Sequence, residues 1–395
     1  MIGEKKKSYP SEKFTYTDKK TGAEVTRLTG AYSNSNHIYF TNNCFYNGGR
    51  SIVFASDRSG TPNLYSMELD SGEIKQLTDL PKKPYPGSNG LHMTFVHPEA
   101  DTAVFWDGNI LYCLDLKSSE QREIYRLPAG FVKHIVSIGA DGKYAYTSKI
   151  EDVRDRRKEN TLQGTYDCHP YSEILKIALG GSGASVVYSE NNFIAHVNAS
   201  PTDPDKLTFC HEGFWEQVDH RLWALDLKTG KARRLHECKR GEAIGHEYWF
   251  ADGNRIGYHG LTDCNRVGPT DEQLLGTPKL GAVNFDGSDD RSYDFPYNMG
   301  HIFSLDESLI VGDGDRRGRY LRLWQLSENG YQEPRALCLH NSSFKNQLTH
   351  VHPRITPDGR GVLYTSDESG YNQIYLVKIP EDITSLPLLK TLSDC

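Results

Sequence analysis

Short runs of apolar and aromatic residues recur along the chain, and most close on a small polar or acidic residue. The runs are Ser51–Asp57, Thr102–Asp107, Lys143–Ser148, Lys206–Cys210, Arg255–His259, Ser308–Asp313 and Gly361–Asp367. They are too short for core helices and rich in β-branched and aromatic residues, so each predicts a strand. Most are followed by a hairpin whose first strand reads apolar-aromatic-x-apolar-Asp, as in Asn63–Asp70, Ile110–Asp115 and Arg221–Asp226. Turn residues such as Asp70-Ser71-Gly72 and Lys228-Thr229-Gly230 then reverse the chain. Seven copies spaced about 40 to 65 residues apart, each supplying four short antiparallel strands, predict an all-β chain folded as a seven-bladed β-propeller.

A propeller has to close its ring. Asp18–Thr29 reads as the outer hairpin of a blade with no inner strands before it. It is predicted to join the last blade, whose inner strands are C-terminal, and so to cover an open sheet edge. With no Pro- or Ser-rich linker along the way, residues 1–395 are expected to form a single propeller domain. One stretch, 149–170, is long for the repeat; it is either a binding rim or a solvated charged excursion.

Composition narrows the partners. With 45 basic and 52 acidic residues the formal charge is −7, which gives no whole-chain attraction to nucleic acid or to an anionic membrane. No run approaches the ~18 apolar residues of a membrane span. The basic residues near the start are not followed by an apolar segment, so no signal peptide is expected. Eight cysteines are scattered without a Cys-x-x-Cys pair, which fits reduced thiols and a cytoplasmic location.

Histidine carries the candidate chemistry. One precedes each inner strand: His37, His92, His134, His196, His246, His301 and the pair His350/His352. In a propeller the innermost strands line the central channel, so these side chains are expected to ring one of its mouths. In an extended strand His350 and His352 would share a face. With Gln347 nearby and His301 on the preceding blade, they form a set suited to a divalent first-row metal with open positions, and the ligands alone do not name the ion. His246 is a candidate general base near neutral pH, and Arg221 a candidate bidentate clamp for a carboxylate, its alternative being an ion pair on the blade surface. His196 and His211 are further candidates for contacting substrate, and spacing does not separate His211 from His246 as the base. Arg316, Arg317, Arg319 and Arg322 read as a solvated basic face. There is no Gly-x-Ser-x-Gly elbow, no P-loop and no dinucleotide fingerprint in a βα context.

Taken together, Cys210-His-Glu-Gly213, Gly245-His-Glu-Tyr-Trp249, His301, and Gln347-Leu-Thr-His-Val-His-Pro353 followed by Thr356-Pro-Asp-Gly-Arg360 resemble the oligogalacturonate lyases, seven-bladed propeller enzymes of pectin breakdown. The similarity spans nearly the whole chain. It implies a Mn²⁺ site of His301, Gln347, His350 and His352, with His246 as base and Arg221 near the substrate. It also implies β-elimination on di- and tri-galacturonates, small acidic oligosaccharides, giving an unsaturated uronate that rearranges to a keto-uronate. A metal held by neutral ligands suits this chemistry, because it can draw charge from the carboxylate next to the carbon that loses its proton. The 149–170 loop and the Arg-rich stretch at 313–322 depart from the family pattern and bear on substrate length. A non-catalytic TolB-like propeller binding a protein or carbohydrate is the alternative reading; a metal-dependent lactonase is a third, though its sites use more carboxylates.

Overall fold

The computed structural model describes residues 7–81, 90–267, 274–295, 297, 299–314 and 318–392. Among them the strands form seven antiparallel sheets, the blades expected from the repeat, and the fold class is a seven-bladed β-propeller. Every recurring apolar run becomes the second strand of a sheet, beside the innermost one. By density of contacts the chain divides into two units, Met1–Asp107 with Leu114–Gln121 and Asn298–Cys395, and Gly108–Cys113 with Arg122–Tyr297. No helix among the described residues is long and apolar enough to cross a membrane.

In the first unit, the strand Glu24–Arg27 pairs with Gln373–Lys378 in the register Val25↔Val377 and Arg27↔Tyr375. Phe14–Thr17 adds a further strand outside it. The N-terminal segment therefore completes the last blade as predicted. The chain start does one thing more: Ser8–Tyr9 pairs with Ile74–Gln76 and caps the edge of the first blade. Packing on both faces buries Ser51–Ser56 along its whole length rather than alternately. Leu28, Ile52, Phe54, Leu363 and Ile374 share one core cluster, and burying each such side chain contributes about 1.5–3 kcal/mol.

The second unit holds three four-stranded sheets with innermost strands Phe131–Ile138, Ile194–Ala199 and Ala243–Trp249. All three innermost strands carry the same irregularity. The register jumps between Lys133 and Val136, between Ala195 and Asn198, and between Gly245 and Tyr248. In each case one extra residue is inserted against the partner strand, and the bulge starts at a histidine: His134, His196 or His246. Bulges bend a strand and re-aim a side chain, so the recurring histidine marks a recurring backbone device.

The 149–170 stretch is not a free excursion. Thr161 caps the short helix Leu162–Tyr166, its side chain accepting the Gly164 N–H. Gln163 Oε1 accepts the Phe214 N–H at 2.8 Å, and Tyr166 Oη accepts the Asp219 N–H at 3.1 Å. The loop therefore packs on segment 214–219, which carries Trp215.

Candidate metal centre and histidine pair

The first unit gathers three imidazoles. Donor atoms of His301, His350 and His352 all lie within 4.8 Å of one another, with ring centroids 5.3 Å apart for His301–His350, 4.3 Å for His301–His352 and 5.7 Å for His350–His352. The local geometry differs from the expected extended strand. Gln347–Thr349 is a 3₁₀ turn capped by Asn346, and His352 takes a left-handed conformation at φ +48°. Left-handed backbone at a residue other than glycine costs on the order of 1 kcal/mol or more and concentrates at functional sites. A turn, rather than strand alternation, therefore aims the two rings together.

Carboxylate and aromatic groups fix the cluster from behind. His301 Nδ1 lies 2.7 Å from Asp313 Oδ2, while the His301 backbone N–H donates to Oδ1 at 2.8 Å. A carboxylate accepts, so the imidazole proton sits on Nδ1 and Nε2 presents its lone pair, the arrangement found behind metal-ligating histidines. The set thus has a carboxylate after all, behind a ligand position rather than in it. Gln347 Nε2 stands 3.2 Å from His352 Nε2; turning the amide over would place its oxygen there. Burial, with His301 and His350 adding to it, holds the His352 pKa well below the ordinary value and keeps the ring neutral. Phe40 stacks on His352 and meets His301 edge-on. This chemistry fits a divalent metal: neutral nitrogen donors, a fixed tautomer and an amide within reach.

His37 belongs to the same structure in a supporting role. Its Nδ1 meets Thr365 Oγ1 at 2.6 Å and its Nε2 donates to the His352 carbonyl at 2.7 Å. Burial pushes its pKa down to about 4, so it is a neutral core histidine that anchors the His352 backbone.

In the second unit His246 is left-handed at φ +51°. Its Nδ1 lies 2.9 Å from Nε2 of His259, with the two rings 20° from parallel. Trp215 stands edge-on to both. His259 was not singled out from the sequence, although the register places it directly opposite Gly245. Arg221 is buried, with Nη1 3.0 Å from Glu212 Oε1 and Nε 3.2 Å from Glu247 Oε2. The guanidinium expected to clamp a substrate carboxylate is held here by two carboxylates of the chain, inside the blade rather than on its surface. Burial opposes ionisation of Glu212, but Arg221 and His196 outweigh it and hold its pKa below the usual carboxylate range.

A family model described as oligogalacturonate lyase matches residues 3–315, about four-fifths of the chain. The chain belongs to the oligogalacturonate lyase family. An oligogalacturonide lyase of Pectobacterium atrosepticum is 27% identical over 93% of this chain and 96% of its own length, and an oligogalacturonate lyase of Dickeya dadantii is 27% identical with the same coverage. An oligogalacturonate lyase solved in complex with manganese is 26% identical, with a TM-score of 0.82 over 96% of this chain and 99% of that one. The oligogalacturonate lyase of Vibrio parahaemolyticus, at 25% identity, also has a TM-score of 0.82.

Two other family-member candidates take different places from those expected. His211 is buried with Nδ1 2.8 Å from Asp219 and Nε2 2.8 Å from Glu190. Both ring nitrogens thus face carboxylates of the chain. Burial lowers its pKa, but the two carboxylates outweigh burial and raise it. His196 Nε2 lies 3.1 Å from Glu212 Oε2, and its backbone N–H donates to His134 Nδ1 at 3.3 Å. His134, His196 and Glu212 are thus grouped closely enough for a metal, yet their polar atoms are turned on one another and on Arg221. Of the basic cluster, Arg322 is buried beside Met299 and so leaves the solvated face expected of it, whereas Arg319 is exposed and donates to Asn341 Oδ1. Arg316 and Arg317 lie outside the described residues.

Proposed function

We propose that this protein is a metal-dependent lyase that cleaves di- and tri-galacturonates by β-elimination, working in the cytoplasm as a single propeller domain with Mn²⁺ bound by His301, His350, His352 and Gln347. The observation that carries the reading is the convergence of three imidazole donors within 4.8 Å with His301 oriented by Asp313. Family membership and the manganese complex of a similar protein support it.

When bound, a divalent ion there would draw electron density from a uronate carboxylate and so acidify the neighbouring C5–H. The remaining work falls to side chains. His246, as neutral imidazole, takes the C5 proton; the C5–H electron pair forms the C4=C5 double bond as the C4–O4 bond breaks, and O4 leaves with the departing sugar and takes up a proton from water, while the imidazolium later returns its proton to solvent. Arg221 acts through its carboxylates: by holding Glu247 it fixes the strand segment next to His246. The products are an unsaturated uronate, which rearranges to the keto form, and a shortened or single sugar acid.

The test is incubation of purified protein with digalacturonate after chelation, with and without restored Mn²⁺, following unsaturated and keto-uronate products. Product that appears with Mn²⁺ and disappears with chelator is expected. No product under any metal condition overturns the lyase reading, and product indifferent to chelator overturns the metal. His246→Ala is expected to abolish turnover with metal content intact.

A further inference from the structure

Within the second unit, His246 hydrogen-bonds to another imidazole. On that observation, and resting on the proposed lyase reading, we infer that His259 is a positioning residue: it accepts the Nδ1–H of His246 and thereby holds the Nε2 lone pair of His246 ready to receive a proton.

Three independent features lead there. The first is the hydrogen bond, His246 Nδ1 to His259 Nε2 at 2.9 Å. Two neutral imidazoles can share only one proton across such a contact, so the partner decides which nitrogen of His246 bears hydrogen. A base acting through Nε2 requires that hydrogen on Nδ1. The second is rigidity. His259 is 3% exposed on the strand Arg255–Arg266, in the interior of its sheet, and Trp215 abuts both rings at 88° and 90°. The indole thus packs against both rings. The third is the backbone. The bulge between Gly245 and Tyr248 turns His246 out of strand alternation at φ +51°. Without the bulge, His246 would lie on the sheet face opposite to its immediate neighbour Gly245, by simple alternation. The strained turn and the partner ring therefore specify one orientation together.

The consequence is confined to the chemical step. A ring held in the other tautomer, or free to sample both, presents a protonated nitrogen for part of the time and loses basicity where it counts. Substrate affinity and metal content do not depend on it.

The test has two arms. In the protein labelled with ¹⁵N-histidine, with the His246 signals assigned by their loss in His246→Ala, the ring is expected to show the Nδ1–H tautomer; an Nε2–H tautomer overturns the inference without any variant being made. In the second arm, His259→Leu is expected to lower kcat by about 10- to 100-fold, less than the ~10²–10⁴-fold a general base contributes in full, with KM and bound Mn²⁺ unchanged. His259→Gln, whose amide oxygen can accept the same proton, is expected to recover most of that loss. Full kcat in His259→Leu, or equal losses in the two variants, overturns it. If instead the unaltered protein produces no unsaturated uronate, the lyase reading itself fails, an outcome distinct from an active enzyme indifferent to residue 259.

Discussion

The Cα of Gly245 lies so close beneath the Trp215 indole that a Cβ there would fall 2.3 Å from the ring. The indole is backbone-backed on the side facing His246, and the glycine ahead of that histidine is a packing requirement. Gly245→Ala must displace Trp215 from its place beside His246 and His259. The expected cost is about 1–3 kcal/mol, typical of overpacking, read as a lower midpoint in urea, together with a fall in turnover and no change in bound metal.

Asp313 offers a separate handle on the metal. Asp313→Asn keeps an oxygen for the His301 backbone N–H but removes the charge that fixes the ring. Mn²⁺ affinity is expected to drop about 10- to 100-fold, measured by titration of the free ion's paramagnetic signal, with the unfolding midpoint of the metal-free protein little altered.

Arg221 is nearly fully buried with its charge spread over Glu212 and Glu247. Removing one side of a buried ion pair leaves the other uncompensated, and Arg221→Ala is expected to cost about 3–5 kcal/mol of stability. Denaturant unfolding should show the loss before any assay is run. A variant as stable as the parent would mean that the guanidinium is not the structural tie described.

His211 gives a pH signature. Its pKa is raised above the ordinary 6.5 by Asp219 and Glu190 despite burial, which alone would lower it, and that of Asp219 is lowered to about 2 by His211 and nearby backbone against the effect of its own burial. The stabilisation from the charged histidine is present below pH 6.5 and lost as pH rises through the raised value. The Asp219 contribution is present above its ordinary value of 3.8 and lost as pH falls through about 2. Melting temperatures of the parent and Asp219→Ala should differ most between these limits, near pH 5, and converge as pH rises through the raised histidine value. An NMR titration of His211 at or below 6.5 would contradict the assignment.

Much of this architecture is legible in the chain because strand runs, turn residues and the lone outer hairpin at Asp18–Thr29 each obey a local rule. His301, Gln347, His350 and His352 could be named together because propeller neighbours in sequence are neighbours in space. What local rules hide is irregular backbone. Period-two alternation has no provision for the bulges at His134, His196 and His246, nor for the 3₁₀ turn that brings His350 and His352 together. Pairings that depend on distant register were equally hidden. Glu247 reaches Arg221 across 26 residues, and Arg322 reads as one of a basic run although its position on the strand Tyr320–Ser327 buries it.

The pairing of Glu24–Arg27 with Gln373–Lys378 has a bearing on how the protein is made. These strands are separated by about 350 residues, so on a chain emerging from the ribosome the hairpin Phe14–Arg27 keeps one edge open until Gln373–Lys378 has been synthesised. Contacts of such long sequence separation form slowly. The turn holding His350 and His352 leads directly into that closing sheet. Metal affinity should therefore arise at the end of folding rather than early in it, and a ribosome stalled before residue 373 would carry an incomplete sheet with an exposed edge.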